Sequence, residues 1–536
     1  MRVPLSGLMV MLGWLGCNDV GLTKPGIVTG LTCGEGTYEE DEVCVADETS
    51  VPADDGEAPD DGEPADDGGP ADDGEAPDDG EPPDDGDPGD DGDPADDGAP
   101  ADDGEPADDG SPPEDTAPPI TPATTRVYLL AGQSNMDGGG SEISLPPELR
   151  VAQEDVHIYW SGSPAWRGLV PSSMWSSGYG IRFGPEITFG RTLADALPAD
   201  DIHLIKHAVG GTTLAEYWHP GEDGSDTVMG PGYTDFMATI SGALETLEAE
   251  GRTPELAGMI WMQGESDAAD GSFALEYESR LTHFIERVRT DVDTPELPFV
   301  IGLIDCEGLC THRALVRTAQ MSVAEADPMV FTIETEDLGR YSDDPWHYHG
   351  VGMRVMGERF AQALLDEPMP TVPQPAFTLT GTYTHSYYGA FTTGYTFRVD
   401  RPIQVTDLGL FDLGGDGINH ATDIGIWHAD SGDLIVTETL PASESAASPL
   451  IGQFRYVGIS PTLLEPGEYA LGAEAFASSP DFYVYEAEIS SADGMTWLEG
   501  RHAEGSFLSF PTIITPGSAD ATLWFGPNLL FREIGG

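Results

Sequence analysis

The sequence predicts an α/β domain with a parallel sheet, followed by an all-β sandwich, with a disordered acidic linker ahead of both. Within residues 126–367, short apolar runs alternate with helical periodicity, which is typical of an α/β fold. From about residue 376 the runs become strand-like and are divided by Gly, Pro, Asp and Ser, which is typical of a β-sandwich. Residues 52–111 repeat a hexad of the type Pro-Ala-Asp-Asp-Gly-Glu ten times.

The N-terminal segment has the pattern of an export signal. A basic start is followed by an apolar run at residues 5–15, which is too short to span a bilayer. Residues 14–17 resemble a bacterial lipobox, in which the cysteine is acylated and becomes the mature N-terminus. We expect a lipoprotein-type signal at residues 1–17, lipidation of Cys17 and a location at the cell surface or outer membrane. Trp14 replaces the usual aliphatic residue, so plain cleavage with secretion and an uncleaved anchor stay open.

The cysteine spacing fits an oxidising compartment. A lipidated Cys17 leaves two locally spaced pairs of the five cysteines: Cys33 with Cys44, and Cys306 with Cys310. We expect both pairs to form disulfides, the first within a small segment at residues 18–51. Two unpaired thiols are the alternative for the second pair. A zinc site is disfavoured because the pairs are more than 260 residues apart and only His312 lies near either.

The acidic repeat is the core of a linker at residues 52–122. Every hexad contains Pro and Gly and none contains a basic residue, so the segment cannot bury a core. We expect a disordered stalk that charge repulsion and proline stiffness keep extended. Calcium binding by the Asp-Asp-Gly units is the alternative. It is disfavoured because the hexad lacks the nonapeptide pattern of calcium-binding β-rolls.

The α/β region is assigned to residues 123–370, and the β-sandwich to residues 376–536. Strand candidates of the first region are 127–130, 202–206, 259–262, 299–304 and 330–333. Its helix candidates, in which apolar residues recur every three or four positions, are 274–292 and 351–365. Strand candidates of the sandwich are 395–399, 404–411, 423–427, 434–439, 468–473 and 481–485.

The overall charge limits the partners. With 22 basic against 96 acidic residues, the formal net charge of the 536-residue chain is -74. Such a charge repels nucleic acid and anionic membrane surfaces, so we expect neither as a binding partner. Polyanionic substrates are disfavoured for the same reason. Because 39% of the residues are hydrophobic, sizeable cores can form in at least two folded units.

A serine and a distant carboxylate and imidazole predict hydrolytic chemistry. Ser134 follows the first predicted strand, at the sheet edge where open α/β folds bind ligands. Serine attacks an ester only if a base takes its proton, an acid orients that base and polar donors stabilise the oxyanion. We expect Ser134 as the nucleophile, His347 as general base and then acid, and Asp344 as its partner. The predicted oxyanion donors are the backbone amides of Ser134 and Gly211 and the side-chain amide of Gln263.

Five sequence blocks in this region resemble one known family. They are residues 132–136 (Gly-Gln-Ser-Asn-Met), 183–186 (Phe-Gly-Pro-Glu), 208–212 (Ala-Val-Gly-Gly-Thr), 261–267 (Trp-Met-Gln-Gly-Glu-Ser-Asp) and 344–352. The chain resembles the sialate O-acetylesterase-like group of the SGNH hydrolases, which includes the acetylxylan esterases of carbohydrate esterase family 6. The resemblance covers residues 126–367. It implies a flavodoxin-like sheet and removal of acetyl groups from sugars without a metal or cofactor.

The resemblance assigns the same triad and oxyanion residues. It adds Glu265 as a supporting residue, and we expect Gln133 and Asn135, which flank the serine, to support the site as well. His349 and Asp343 are the alternative triad members. The spacing favours His347, which lies three residues after Asp344 and five before Gly352.

Each of these residues also has a structural interpretation when it is taken alone. Ser134 and Asp344 suit turns or helix caps, and Gln263 and Glu265 suit buried backbone partners. The ordered set favours the hydrolase. Other candidates are expected to be structural: His203, His207, Trp160, Trp166, Trp175 and Trp218, with cleft lining as the alternative for the tryptophans. In the sandwich, a tight turn and a core tryptophan are favoured over calcium binding at Asp412 and Asp416 and sugar stacking on Trp427.

The sequence therefore predicts an exported, surface-tethered serine esterase that deacetylates carbohydrate. Acetylated polysaccharide such as acetylxylan is favoured over sialic acid, and polysaccharide binding is the expectation for the β-sandwich. Two other functions stay open. One is a surface protein that binds carbohydrate without turnover, and the other is a lipase or thioesterase on the same scaffold.

Overall fold

The computed structural model describes residues 124–534, apart from 173–179, 223–228, 307, 382–383, 387–390, 445–447, 477–482, 486, 506 and 515–525. Nearer the N-terminus it describes only the backbone of four short strands that pair antiparallel as two hairpin-like pairs: Cys17–Asp19 with Leu31–Cys33, and Thr37–Glu40 with Val43–Ala46. The predicted signal, the acidic repeat and the side chains of Cys17, Cys33 and Cys44 lie outside the described part. The chain divides into two compact units, Met1–Gly110 and Ser111–Gly536, and the second contains everything below.

A seven-stranded sheet forms the centre of the α/β region. Its strands are β1 (Thr125–Gly132), β2 (Gln153–Trp160), β3 (Ser163–Leu169), β4 (Asp201–Ala208), β5 (Pro254–Met262), β6 (Phe299–Gly302) and β7 (Val330–Ile333). The strand order is β7-β6-β5-β1-β4-β2-β3, and all neighbours are parallel except β2 and β3. The predicted α/β fold with a parallel sheet is confirmed, and all five strand candidates are strands.

The apolar sequence of β1 explains its central position. Val127, Leu129 and Ala131 pack into the core on one face of the sheet. Tyr128 and Leu130 pack into the core on the other face. A strand of a parallel sheet is covered by helices on both faces, so it is apolar along its whole length.

Helices cover both faces of the sheet. They are α1 (Ser134–Asp137), α2 (Glu186–Ala196), α3 (Pro231–Ala249), α4 (Gly271–Asp291), α5 (Arg313–Ala326) and α6 (Gly350–Leu365). Short 3-10 helices lie at Glu142–Ser144, Pro147–Leu149 and Asp267–Ala269, and Gly140–Ser141 pairs with Arg182–Phe183. The predicted helices correspond to α4 and α6. Asp270 begins α4 because its side chain accepts hydrogen bonds from the first free backbone amides. Among the described residues, no helix is long and apolar enough to cross a bilayer.

The C-terminal region contains two main antiparallel sheets. In spatial order the first contains Gln374–Pro375, Pro527–Glu533, Ile403–Phe411, Phe454–Leu464 and Leu450–Ile451. The second contains Leu434–Leu440, Thr422–His428, Gly467–Ala475, Phe391–Val399, Met495–Glu504 and Ile513–Ile514. Smaller pairs are Phe377–Thr380 with Glu488–Ser491, Thr384–Ser386 with Tyr483–Tyr485, and Gly417–Ile418 with Ser443–Glu444. The predicted all-β region is confirmed.

The two regions are joined by buried contacts. Arg354 of α6 donates from Nη2 to both carboxylate oxygens of Asp407, at 2.9 and 2.7 Å. Both side chains are buried. Gly458 of the β region lies against the 3-10 helix Glu142–Ser144 of the α/β region. An added Cβ on Gly458 would be 2.5 Å from the carbonyl oxygen of Ser144. Val351, in the first turn of α6, packs into the core of the β region.

Candidate active site

Three loops meet at the carboxyl edge of the sheet. The register aligns Gly132, Ala208 and Met262, which are the last residues of the neighbouring strands β1, β4 and β5. The loops that follow therefore begin side by side, as expected at the edge where open α/β sheets bind ligands. These loops contain three of the sequence blocks singled out above.

The turn after β1 presents Ser134. Gly132 has φ 150° and an added Cβ would be 2.1 Å from the carbonyl oxygen of Met262, so a larger residue cannot make this turn. The backbone amide of Gln133 donates to that same oxygen at 2.9 Å. Ser134 then begins the short α1 and is 6% exposed.

The loop after β4 lies against the serine. An added Cβ on Gly210 would be 3.4 Å from the Cβ of Ser134. Gly211 has φ 71°, and its Cβ position faces open space. Within the described residues, the backbone N–H groups of Ser134 and Gly211 donate to no protein acceptor. Both groups are therefore free to donate to an oxyanion.

Asp344 and His347 form a hydrogen-bonded pair between β7 and α6. His347 Nδ1 is 2.6 Å from Asp344 Oδ2, and the other oxygen of Asp344 accepts from the amide of Trp346 at 3.2 Å. Burial raises the pKa of Asp344, but the hydrogen bond and the charge of His347 outweigh it and leave the pKa below its usual value. The carboxylate is thus held in its charged form beside the imidazole.

His349 has a different role. It begins α6, and its Nδ1 accepts a hydrogen bond from the amide of Gly352 at 3.2 Å. Burial lowers the pKa of His349 to about 4, so the ring is neutral, as an accepting nitrogen requires. Asp343, the other alternative, has an exposed side chain.

Asn135 ties the serine turn to the histidine loop. Its Oδ1 accepts from the amide of Tyr348 at 3.4 Å, and its Nδ2 donates to the carbonyl of Trp346 at 3.2 Å. The same Nδ2 donates to Glu265 Oε1 at 2.8 Å. The backbone on both sides of His347 is therefore bonded to the residue next to Ser134.

Glu265 is a buried carboxyl group with one free oxygen. The residue is 3% exposed, and within the described part its Oε2 has no hydrogen-bond partner. Burial raises the pKa of Glu265, while the hydrogen bond from Asn135 and the nearby charge of His347 oppose the rise.

The side-chain amide of Gln263 is hydrogen-bonded at both its nitrogen and its oxygen. Its Nε2 donates to Asp267 Oδ2 at 2.6 Å and to the carbonyl of Thr212 at 3.0 Å, and Tyr277 donates to its Oε1 at 3.0 Å. A primary amide has two protons, and both have buried acceptors. Gln263 could therefore donate to an oxyanion only by exchanging a partner, and its predicted oxyanion role stays a prediction. Gln133 Oε1 lies 3.4 Å from the same Nε2 and supports this arrangement.

Three buried charged residues support the site, although the sequence analysis gave none of them a role in it: Asp267, Lys206 and Glu186. Asp267 accepts from the amides of Leu214 and Ala215, at 2.8 and 3.1 Å, so it fixes the loop after β4. Lys206 donates to Glu186 at 2.6 Å and to the carbonyl oxygen of Asp137 at the end of α1. Asp267 and Glu186 are the last residues of two of the sequence blocks, and Lys206 is a lysine in a buried central strand, a signal that could have indicated a buried pair.

The remaining candidates are placed as follows. Trp218 is fully buried, Trp166 donates to the carbonyl of Ala243, and Trp160 packs against Arg167. Trp175 lies outside the described residues. His203 and His207 are buried in β4.

In the β region Trp427 is buried, Asp412 pairs with Arg455 at 2.7 Å and Asp416 is exposed. A disulfide joins Cys306 to Cys310, with Cα atoms 5.5 Å apart.

Comparison with known proteins identifies the α/β region. Residues 124–366 match the family model described as carbohydrate esterase, sialic acid-specific acetylesterase. A probable carbohydrate esterase of Arabidopsis thaliana is 26% identical over 256 residues, which cover 45% of this chain and 90% of that protein. An X-ray structure of an Arabidopsis thaliana protein has 22% identity and a TM-score of 0.38, covering 45% of this chain and 98% of that one. A carbohydrate acetylesterase from Xanthomonas citri has 16% identity and a TM-score of 0.33, covering 70% and 80%.

The span that matches the family model coincides with the α/β region. The matched span begins at the residue before β1 and ends at the residue after α6. Residues 124–366 therefore form an α/β domain that matches the carbohydrate esterase family of sialic acid-specific acetylesterases, and the protein is a carboxylic ester hydrolase.

Proposed function

We propose that the protein removes O-acetyl groups from carbohydrate with Ser134, His347 and Asp344 as a catalytic triad. One observation carries the proposal above all. The Asp344–His347 pair is bonded through Asn135 to the turn that presents Ser134. A nucleophile, a base and an orienting acid are needed together for serine esterase chemistry.

The mechanism has two steps. Ser134 Oγ attacks the acetyl carbonyl carbon while His347 Nε2 takes the hydroxyl proton, and the charge of Asp344 stabilises the resulting imidazolium. The oxyanion accepts hydrogen bonds from the amides of Ser134 and Gly211. The C–O bond to the sugar then breaks, and His347 gives its proton to the leaving sugar oxygen. Water, deprotonated by His347, releases acetate from the acetyl-serine and restores the hydroxyl.

We infer that an acetylated polysaccharide is a better substrate than an acetylated sialic acid. Sialic acid carries a carboxylate, and the formal charge of -74 on the chain repels it. The β region attached to the esterase domain offers a second surface for a polymer. Polysaccharide binding by that region is part of the proposal.

The first experiment measures acetate release from acetylated xylan, acetylated sialic acid and a small aryl acetate. The full chain and its Ser134→Ala variant are compared side by side. Release that requires Ser134 supports the esterase mechanism, and the rank of the substrates identifies the sugar class. Full activity in the variant would refute the assignment of the nucleophile. Wild-type binding to glycan without turnover would favour a binding protein, and preference for long acyl esters would favour a lipase or thioesterase.

We also propose that the protein is exported and anchored by lipid at Cys17. The apolar run before Cys17 supports this, and the Cys306–Cys310 disulfide suits an oxidising compartment. Labelling with a radioactive fatty acid in a bacterial host tests the anchor. The wild type should be labelled and found with membranes, whereas Cys17→Ser should lose both properties. An unlabelled wild-type protein would refute the lipid anchor.

A further inference from the structure

Trp346 is an exposed tryptophan directly before His347. Its side chain is 40% exposed, and it is the one tryptophan among the exposed large apolar residues of the described part. By contrast, Trp218 and Trp261 are fully buried in the core. Within the described residues, no aromatic ring or cation packs on the indole of Trp346. Single exposed apolar side chains are common on protein surfaces, so what distinguishes Trp346 is its position next to His347.

The backbone of Trp346 is fixed on both sides. Its amide donates to Asp344 Oδ1 at 3.2 Å, and its carbonyl accepts from Asn135 Nδ2 at 3.2 Å. These are two side chains of the proposed active site, and His347 is the next residue. The indole is thus attached to the catalytic loop by a backbone that needs little ordering when a ligand binds, which favours affinity.

The chemistry of an exposed indole favours the face of a sugar ring. A pyranose has an apolar C–H face and polar hydroxyl edges, and it can lay that face on a flat aromatic surface while the edges stay in water. A planar surface one residue before His347, on a loop that Asn135 bonds to the turn of Ser134, suits a substrate in which the acetyl group is attached to such a ring.

The charges around the loop favour a neutral ring. Asp343 is exposed beside Asp344, whose carboxylate is held ionised. Arg340, the arginine of this loop, pairs with Asp305 and lies over the ring of Tyr348. A sialic acid carboxylate is best bound by the bidentate fork of an arginine, and this one already has an acidic partner.

We propose that Trp346 is the surface on which the acetylated pyranose ring stacks, and that it selects a neutral sugar over a sialic acid. This inference rests on the proposed esterase function. It adds a residue that contacts substrate outside the acetyl group, so its effect must appear with sugar esters and disappear with esters that lack a sugar.

The test compares Trp346→Ala and Trp346→Phe in the full chain. Substrates are acetylated xylan, acetylated sialic acid and ethyl acetate. We expect Trp346→Ala to raise KM for acetylated xylan about tenfold, with kcat changed less than twofold, because a ring contact that is equal in the ground state and the transition state affects KM and not kcat. Ethyl acetate, which has no ring to stack, should be cleaved at the wild-type rate, and Trp346→Phe should retain most of the affinity for acetylated xylan.

The matched control is Phe507→Ala, which removes an exposed aromatic side chain from the β region. It should leave all three substrates unchanged. An unchanged KM for acetylated xylan in Trp346→Ala would overturn the stacking role, and so would an equal loss on ethyl acetate, which would mean that the loop itself had moved. A Trp346→Ala loss confined to sialic acid would overturn the selectivity. If the wild type showed no Ser134-dependent cleavage of any ester, the result would refute the proposed esterase function, and the role of Trp346 would be refuted with it.

Discussion

Replacing Asn135 with alanine should separate the loop that carries His347 from the turn that carries Ser134. The change removes hydrogen bonds to the carbonyl of Trp346, the amide of Tyr348 and the carboxyl of Glu265. Alanine has no polar group to replace them. We expect both the free energy of unfolding and the turnover number to fall, for two different reasons.

The loss of stability follows from the bonds that disappear. A hydrogen bond to a charged group contributes about 1.5–3 kcal/mol and one between neutral groups about 1 kcal/mol. The bond to Glu265 is 2.8 Å long, whereas the bonds to Trp346 and Tyr348 are 3.2 and 3.4 Å and should contribute less. Since Glu265 would be left with both oxygens unpartnered, we expect Asn135→Ala to destabilise the protein by about 2–4 kcal/mol.

The loss of activity follows from the position of His347. A displacement of a catalytic group by about 1 Å can lower the rate about 100-fold. We therefore expect kcat on a small aryl acetate to fall about 10- to 100-fold, under conditions where the variant is still folded. The small ester avoids any effect on sugar binding. Denaturant unfolding gives the stability on the same preparations.

Asn528 provides a matched control in the β region. It is also a fully buried asparagine, with its Nδ2 bonded to the carbonyl of Phe377 at 2.8 Å and its Oδ1 accepting from Leu529. Asn528→Ala should lower stability but leave kcat unchanged. If Asn135→Ala kept the wild-type kcat, or if both variants lost activity in proportion to stability, the tether would have no role in positioning His347.

Three other changes test separate parts of the structure. Asp344→Asn should lower kcat about 10³- to 10⁴-fold with little change in melting temperature, because the ring of His347 loses its charged partner; a fall below tenfold in steady-state assays would contradict this. Glu265 has a raised pKa in the folded state, so stability falls as pH rises above its unfolded value near 4.5. Relative to wild type, Glu265→Gln should therefore gain stability between pH 4.5 and 7, and a pH-independent difference in urea unfolding would contradict the burial of charge. Asp407→Ala leaves Arg354 without its partner and should destabilise the protein by about 3–5 kcal/mol in the same assay, with a loss under 1 kcal/mol contradicting it.

The sequence indicates the central strands because they are buried on both faces. β1 and β5 contain continuous apolar runs, and β4 has Ile202, Leu204 and Ile205, so these strands are visible without any knowledge of the neighbours. β2 and β3 at one side of the sheet were not predicted. β2 begins with Gln-Glu-Asp and exposes two of those residues, and β3 contains Pro, Arg and Gly. Strands with an exposed face or an irregular register lack the pattern on which the prediction depends.

In the site too, local patterns could be predicted from the sequence and contacts between distant residues could not. The Asp344–His347 pair is local, so its spacing of three residues reveals it. The contacts of Gln263 depend on Asp267 and Thr212, and the partner of Lys206 is 20 residues away on another element. Nothing in the local sequence specifies which buried acceptor takes an amide proton. The oxyanion role of Gln263 was therefore predicted only from its place in a sequence block. Its hydrogen bonds depend on the folded structure and could not be predicted in this way.

The connection between the two regions gives the β region a part in supporting the catalytic loop. His349 caps α6 two residues after His347, and Val351 in the first turn of that helix packs into the β core. One turn further, Arg354 pairs with Asp407 of a central β strand. The C-terminal anchor of the histidine loop is thus held by residues of the β region. Removing that region would expose Val351 and take away the carboxylate that pairs with Arg354, so the esterase domain should lose stability first at the helix that follows His347.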